Sequence, residues 1–451
     1  MEIANKKVLV VGLGISGLAA AKFLINQKAH VTISDNKNEQ KLLTFTDKAR
    51  EIGAVLELGQ HRIATFEKAD LIVISPGVAD TILPIKRARE KGIKVIGEIE
   101  LASRFIKKPI IAITGTNGKT TTVTLLEKML QNSGLKVFTG GNIGNPLTNY
   151  LNHQQKADVV VVEVSSFQLE TIDTFRPKVG VLLNITNDHI DRYNDFTAYA
   201  KAKKRIFANQ QTDDIAIVNG SDLTTCLLCK DIKSSKVFYC KKECFNTGAT
   251  ISDEYINISL PEKKVKFCID KIGIKGGHNI ENAAAAILSA FFAGGTAEGI
   301  RSALYNFKGL LHRQEYVDTI KGVRFFDDSK GTNVDAVTRA LEAFNQPVIL
   351  IMGGRDKKSD YNQLKNHIKK HVKKLVVIGE AKHKIVSAIG KIKPFILASV
   401  MSQAVSYAYN AANSGDIVLL SPGCSSFDMY SSYAQRGDDF QSEVKKLKQA
   451  V

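Results

Sequence analysis

Residues 110–124, IIAITGTNGKTTTVT, constrain this chain more than any other stretch. Four apolar residues (Ile110, Ile111, Ala112, Ile113) predict a short buried strand, and the run over 121–130 predicts a helix. Between them stand Gly115, Thr116, Asn117, Gly118, Lys119 and Thr120, with Thr121 opening the helix. Strand, glycine-rich turn, Lys-Thr and helix make a phosphate cradle. The glycines let backbone N–H groups turn into one concavity, and the helix N-terminus adds roughly half a positive charge. Lys119 can reach the outer phosphates of a nucleoside triphosphate, and the Thr120 hydroxyl can ligate Mg²⁺. The string departs from the usual Walker pattern, because Ile113 stands where its first glycine belongs. Alone it is a weak signal that an ordinary strand–helix turn could also produce.

Residues 7–35 carry a second glycine turn. Lys7, Val8, Leu9, Val10 and Val11 predict a strand, and Gly12-Leu13-Gly14-Ile15-Ser16-Gly17 matches G-x-G-x-x-G. A helix follows over 18–26, and a strand over 31–35 ends in Asp35. This is the dinucleotide-fold fingerprint. Alone it suggests NAD. Asn36 and Lys37 follow the acid, however, and no hydride-transfer site stands downstream. A sugar nucleotide bearing a pyrophosphate fits the same cradle.

Further on, TGGNIGNP at 139–146 is another loop that allows close backbone approach, and 158–163 predict a buried strand ending in Glu163. An acid at a strand's carboxyl end in a phosphate-binding domain is where a Mg²⁺ ligand belongs, although a solvated strand end would look the same. A strand over 179–183 leads to His189, an unusual ligand for hard Mg²⁺ and a residue type more often packed or exposed. A helix over 196–209 carries Lys201, Lys203, Lys204 and Arg205, normally the mark of a solvated face. Residues 221–272 say little beyond a partly β segment. Asn279 is a candidate N-cap for a helix over 283–293. From residue 310 onward, strands alternate with helices and end in DSKGTN (328–333), GGRDKK (353–358), Gly379-Glu380 and SPGCSSFD (421–428), with YAQRG at 433–437. Such hydroxyl- and cation-rich strand ends suit a carboxylate-bearing substrate, since ligands of these sheets sit beyond the carboxyl ends of strands. The pattern predicts an α/β fold of three domains. These are a Rossmann-like domain over 1–98, a central P-loop ATPase-like domain with a mostly parallel sheet over 99–309, and a Rossmann-like domain over 310–451.

The net charge of +17 points to anionic partners or to a lysine-rich surface. The lysines are scattered and no RNA-binding aromatic motif accompanies them, so specific nucleic-acid binding is not expected. No apolar run approaches the roughly 20 residues of a membrane span, and the sequence enters a strand almost at once, so neither membrane nor secretion is expected. A cytoplasmic location follows by default. Cys226, Cys229, Cys240 and Cys244 resemble a zinc knuckle only loosely, so free thiols are expected there and at Cys268 and Cys424.

Together GTNGKT (115–120), VEVSSFQLE (162–170), NITNDHIDRY (184–193), HNIEN (278–282) and HRQE (312–315) resemble the Mur ligase family over essentially the whole chain. Within it, GLGISG (12–17), SSFQLE (165–170), DSKGTN, SPGCSSFD and YAQRG are most similar to the D-glutamate-adding branch. The resemblance implies an ATP-dependent ligase that joins D-glutamate to UDP-N-acetylmuramoyl-L-alanine through an acyl phosphate. It also implies three domains, a monomer, and closure of the last domain over the other two. Gly14, Ile15, Ser16, Asn36 and Lys37 would surround the uridine diphosphate, and Asn142 would face the muramoyl substrate. Lys119 and Thr120 would hold ATP phosphate and Mg²⁺, Glu163 would add a Mg²⁺ contact, and His189 would serve a second Mg²⁺. Asn279 and Asn282 would contact the adenine side, with Arg313 and Asp328 reaching the nucleotide from the third domain. Lys330, Thr332, Lys357, Ser426 and Tyr433 would surround D-glutamate, although the family commonly has Phe where Tyr433 stands. In Tyr199-x-x-x-Lys203-x-Arg205, Lys203 matches the family's carbamylated lysine, whose carboxylate-like oxygens a hard cation prefers. Folylpolyglutamate-type ligases would share the cradle but lack the GLGISG domain. An NAD-dependent oxidoreductase built on GLGISG would reveal itself by an absorbance change at the nicotinamide band, and a non-enzymatic nucleotide-binding regulator need not combine Glu163, His189 and Lys203.

Overall fold

The computed structural model describes residues 1–154, 156–186, 193, 195–241 and 247–451. Short runs of aliphatic residues form strands buried on both faces, and the helices that follow them return the chain in the same direction. The three sheets are therefore parallel at their centres. In the first, β1 (Lys7–Val11), β2 (His30–Asp35), β3 (Val55–Leu58), β4 (Leu71–Ile74) and β5 (Lys94–Gly97) take the order β3-β2-β1-β4-β5. Every pairing is parallel, and the order is that of the first five strands of a Rossmann sheet. Val8, Val10, Leu24 and Ile33 pack on one face, and Leu9, Phe66, Ile72 and Ile85 on the other.

The second sheet has nine strands: β6 (Ile110–Thr114), β7 (Val137–Gly141), β8 (Val159–Glu163), β9 (Val179–Leu182), β10 (Ile215–Asn219), β11 (Ser235–Lys241), β12 (Gly248–Ile251), β13 (Tyr255–Leu260) and β14 (Lys263–Cys268). Its order is β14-β13-β12-β11-β10-β9-β6-β8-β7, antiparallel only along β12-β13-β14. That ladder, at 248–268, lies within the segment 221–272 that the sequence marks as partly β. The third sheet runs β15-β16-β20-β17-β18-β19. Its strands are β15 (Glu315–Ile320), β16 (Val323–Asp327), β17 (Val348–Gly353), β18 (Val372–Ile378), β19 (Phe395–Leu397) and β20 (Ile417–Leu420). Only β15 is antiparallel to its neighbour. Packing groups Met1–Ile185, Tyr199–Lys271 and Glu281–Tyr305, with the first two sheets, into one unit; Thr186–Ala198, Ile272–Ile280 and Asn306–Val451 form the other.

Within the first unit, the helix Glu98–Ser103 fastens one sheet to the next. Glu98 accepts from the Thr148 backbone N–H (2.6 Å) and hydroxyl (2.7 Å), and burial raises its pKa. Glu100 accepts from the backbone N–H groups of Asp173 (2.9 Å), Thr174 (3.0 Å) and Phe175 (2.9 Å), and from Arg104 Nε (2.6 Å). Burial alone would raise the Glu100 carboxyl, but these donors together hold it below the model-peptide value of 4.5. Its folded pKa lies below its unfolded one. The clasp therefore adds stability at neutral pH and loses it as pH falls through the folded value. Glu100→Ala leaves three buried backbone donors without an acceptor and Arg104 with Asp173 as its remaining carboxylate, and is expected to lower stability by ~3–5 kcal/mol at pH 7. Urea unfolding should show the gap between the two proteins closing as the pH drops below 4.5. Equal midpoints at pH 7 would show that the clasp is idle.

Two helices depart from the sequence expectation. The helix Gly277–Phe292 starts earlier than expected, so Asn279 lies inside its first turn and donates to the Lys275 carbonyl at 2.8 Å instead of capping. The helix Phe196–Lys204 stops short of 209 and tightens into the 3₁₀ turn Arg205–Phe207. There the Arg205 guanidinium donates to the carbonyls of Leu169 (2.7 Å) and Ile172 (2.8 Å). Cys226, Cys229, Cys268 and Cys424 are free thiols. Cys240 is disulfide-bonded, against the expectation of a free thiol, and Cys244 lies outside the described residues. Among the described residues no helix is long and apolar enough to cross a membrane.

Candidate active site

The turn after β6 is shaped for close approach. Gly118 takes φ +87° as the residue before the helix Lys119–Asn132, and a side chain there would collide with the Asn282 amide. Asn184, just beyond β9, mirrors the turn's backbone. Its Oδ1 accepts from the Asn117 N–H (2.9 Å), its Nδ2 donates to the Asn117 carbonyl (3.0 Å), and its own carbonyl accepts from the Thr116 N–H (2.9 Å). Lys119 Nζ donates to the carbonyls of Gly115 (2.7 Å) and Thr116 (2.8 Å). Lys203 Nζ donates to the same Gly115 carbonyl (2.8 Å). Two ammonium groups therefore meet at one edge of the glycine turn.

Lys203 is 2 % exposed, whereas Lys201 on the same helix is exposed. Tyr199 lies one turn before Lys203 on the buried face; its ring underlies Nζ at 4.7 Å, and its hydroxyl is 3.2 Å from Thr116 Oγ1. At this position the solvated-face reading of the lysine run fails. Helical periodicity turns residues 199 and 203 inward together.

Parallel register sets Glu163, the last residue of β8, beside Ile113 of β6 and Gly141 of β7. The side chain is 1 % exposed. Oε1 accepts from Asn142 Nδ2 at 2.8 Å, and Oε2 is buried without a hydrogen-bond partner. A stranded carboxylate oxygen costs on the order of 1–3 kcal/mol, which a cation would offset. The donor chemistry beside the cradle, a carboxylate oxygen and the Thr120 hydroxyl, suits hard Mg²⁺. His189, the other expected ligand, lies outside the described residues.

The first sheet presents its own glycine turn. Gly12 has φ +96°, and a side chain on Gly17 would strike the Gly12 carbonyl. Gly14 precedes the helix Ile15–Asn26, whose first residues Ile15 and Ser16 stand at its positive end. Asp35 is buried, with Oδ2 accepting from the Leu13 N–H (2.7 Å) and Oδ1 from the Lys37 N–H (2.9 Å). The acid of the dinucleotide-fold fingerprint is thus engaged in shaping its own turn. Asn36 and Lys37 beyond it are exposed.

In the third sheet, Asp328 follows β16 and accepts from Ser421 Oγ at 2.8 Å. Burial pushes its carboxyl up to about 7, against the pull of the Ser421 bond and the Arg313 charge. Lys330 Nζ stands 3.7 Å from the Tyr433 ring centroid, a cation–π contact that phenylalanine would make equally well. Thr332 and Lys357 are half-buried and Ser426 is buried, on loops after β16, β17 and β20.

What sequence reading missed is the residue that ties these loops together. Arg436, 2 % exposed, donates to Ser329 Oγ (3.0 Å) and to the carbonyls of Ser329 (2.8 Å), Cys424 (3.2 Å) and Ser425 (3.3 Å). The only sequence signal was its place in YAQRG. His312 Nδ1 meets Asp327 Oδ2 at 2.7 Å, and Gln441 Nε2 donates to both Asp327 (2.9 Å) and Glu315 (3.0 Å), which steadies the HRQE turn carrying Arg313.

Family models match the chain in three stretches. Residues 6–97 match the Mur ligase MurD-like N-terminal domain, 113–290 the Mur ligase middle domain, and 312–424 the Mur ligase glutamate ligase domain. The UDP-N-acetylmuramoylalanine–D-glutamate ligase of Desulfosudis oleivorans is 51 % identical over 450 residues, which cover 100 % of this chain and 98 % of that one. The protein of the same name from Desulfatibacillum aliphaticivorans is 48 % identical, over 99 % of this chain and 100 % of that one. Among solved structures, the UDP-N-acetylmuramate–alanine ligase MurC of Thermotoga maritima superposes with a TM-score of 0.61 at 18 % identity, over 99 % of this chain and 100 % of that one. A pseudomurein peptide ligase type C from Methanothermus fervidus reaches 0.62 at 21 % identity, over 98 % and 100 %.

Proposed function

The chain belongs to the Mur ligase family, and from that footing we propose that it joins D-glutamate to UDP-N-acetylmuramoyl-L-alanine at the expense of ATP. Whole-chain identity to D-glutamate ligases supports the reaction. The observation that carries the site is the meeting of Lys119 and Lys203 on the Gly115 carbonyl, one strand over from the unpartnered Glu163 oxygen.

Making an amide from a carboxylate requires a leaving group. The L-alanine carboxylate attacks the γ-phosphorus of ATP, forming an acyl phosphate and releasing ADP. The D-glutamate amine attacks the acyl carbon, loses a proton, and phosphate departs. For the first step Lys119 exchanges its carbonyl partners for phosphate oxygens, and the N–H groups of 115–121 cradle the triphosphate. Asn279 and Asn282, one turn apart on their helix, serve the adenine side, with Arg313 and Asp328 as further nucleotide contacts. Gly14, Ile15, Ser16, Asn36 and Lys37 hold the uridine diphosphate, and Asn142 faces the muramoyl end. Lys330, Thr332, Lys357, Ser426 and Tyr433 hold D-glutamate, where fixed geometry spares the amine its orientational cost. Bound Mg²⁺, held by Thr120, Glu163, His189 and a carbamylated Lys203, would neutralise charge on the transferred phosphoryl group. The carbamate arises when the neutral Lys203 amine adds to CO2 and loses a proton. Domains over 1–98, 99–309 and 310–451 divide these tasks in a cytoplasmic monomer.

The test is phosphate release from ATP in the presence of UDP-N-acetylmuramoyl-L-alanine and one amino acid at a time. D-Glutamate is expected to support turnover, and L-glutamate, L-alanine and meso-diaminopimelate are not. Turnover with meso-diaminopimelate in place of D-glutamate would reassign the third domain.

A further inference from the structure

Two loops of the third sheet carry residues proposed above for D-glutamate: Lys357 follows β17, and Ser426 follows β20. Their backbones are zipped together. The Gly353 N–H donates to the Pro422 carbonyl (2.9 Å), the Arg355 N–H to Ser425 (2.8 Å), and the Ser425 N–H back to Arg355 (3.0 Å). Beyond this bridge the Lys357 turn has no ladder to hold it, and Lys358 adopts φ +61°, a conformation a lysine takes only when held there.

Side chains supply the hold. Asp356 Oδ1 accepts from the Ser359 N–H (3.0 Å) and from the Tyr361 hydroxyl (3.0 Å), and Oδ2 accepts from Lys384 Nζ (2.6 Å). The Tyr361 hydroxyl also lies 3.0 Å from Cys424 Sγ. Its one proton goes to the carboxylate, so the thiol donates to it; burial keeps that thiol protonated, raising it to about 12. Tyr361 is buried in the third sheet's core with Leu364 and Ile385, so its ring is anchored independently of its hydroxyl. A single oxygen thus spans the residue before Lys357 and a residue two before Ser426.

We propose that Asp356 and Tyr361 are positioning residues for the amino-acid substrate: their hydrogen bonds lock the Lys357 turn at a set distance from the Ser426 loop. The inference rests on the D-glutamate reading above. Neither residue needs to touch the substrate. Tyr361→Phe keeps the packed ring and removes only the cross-link, so the KM for D-glutamate is expected to rise about fivefold, the scale of a typical net hydrogen-bond contribution. The KM values for ATP and for the UDP substrate should stay put. Asp356→Ala should raise the D-glutamate KM further, and Asp356→Asn, which can still accept from Ser359 and Tyr361, should fall between wild type and Asp356→Ala.

Lys357→Ala is measured alongside to separate the two readings. If Lys357→Ala raises the D-glutamate KM and Tyr361→Phe does not, the brace is wrong and the substrate placement stands. If Lys357→Ala leaves that KM unchanged, the placement fails and the brace with it. A Tyr361→Phe enzyme with a lower melting temperature and lower kcat, but unaltered KM for D-glutamate, would make the network merely structural and overturn the proposal.

Discussion

Lys119→Ala is expected to abolish amide formation, with kcat/KM falling at least ~10³-fold, the scale of losing a preorganised charge on a transferring phosphoryl group. The ammonium already sits over the turn, 2.7 Å from the Gly115 carbonyl and 2.8 Å from that of Thr116. An incoming triphosphate offers it stronger, charge-assisted partners, so the side chain moves from backbone to phosphate with little ordering cost. The residue is half-buried at the start of the helix Lys119–Asn132, and alanine is the better helix former. The variant should therefore fold and melt near the wild-type temperature. Phosphate-release kinetics check the prediction, and turnover near that of wild type would refute the cradle.

Lys203→Ala is the second large effect. A loss of roughly 10²–10³-fold is expected, the range for removing one electrostatic group at a phosphoryl-transfer site. Two causes compete for that loss. One is chemical: on the proposed function, the carbamate oxygens would vanish from the Mg²⁺ ligand set. The other is mechanical: Lys203 is a large buried side chain packed on Tyr199, and its removal takes a donor from the Gly115 carbonyl. Short carboxylates tell them apart. Formate or acetate can enter the space left by the side chain and supply an oxygen ligand, but neither can rebuild the packing. Partial recovery of turnover with added acetate is expected. A crippled enzyme that no carboxylate revives would confine Lys203 to packing, and undiminished turnover would remove it from the site.

Much of the architecture could be read from the chain. Alternating aliphatic strands and helices announced parallel sheets, and the glycines at 12, 17 and 118 stand where a side chain would collide with the chain or meet a positive φ. Other features could not be read so. Lys203 and Lys201 are the same residue type two positions apart, and only the helix's orientation buries one and exposes the other. Asp35 completes the dinucleotide-fold fingerprint in sequence, yet its carboxylate accepts from the N–H groups of Leu13 and Lys37, because the turn folds back over it. Arg436 is a cation in a polar-looking helix until two loops bring their carbonyls around it.

The family, the parallel run of the sheets and the glycine positions of the turns were legible in the sequence itself, because glycine tolerance and hydrophobic period are local and act within a few residues. The tertiary structure alone decided which charges are buried and what each one faces. Glu163 with its stranded oxygen, Lys203 on the Gly115 carbonyl and Tyr361 between two loops depend on partners 21, 88 and 63 residues away. A side chain's desolvation and pairing are set by whatever the fold packs against it, and no window along the chain contains those neighbours.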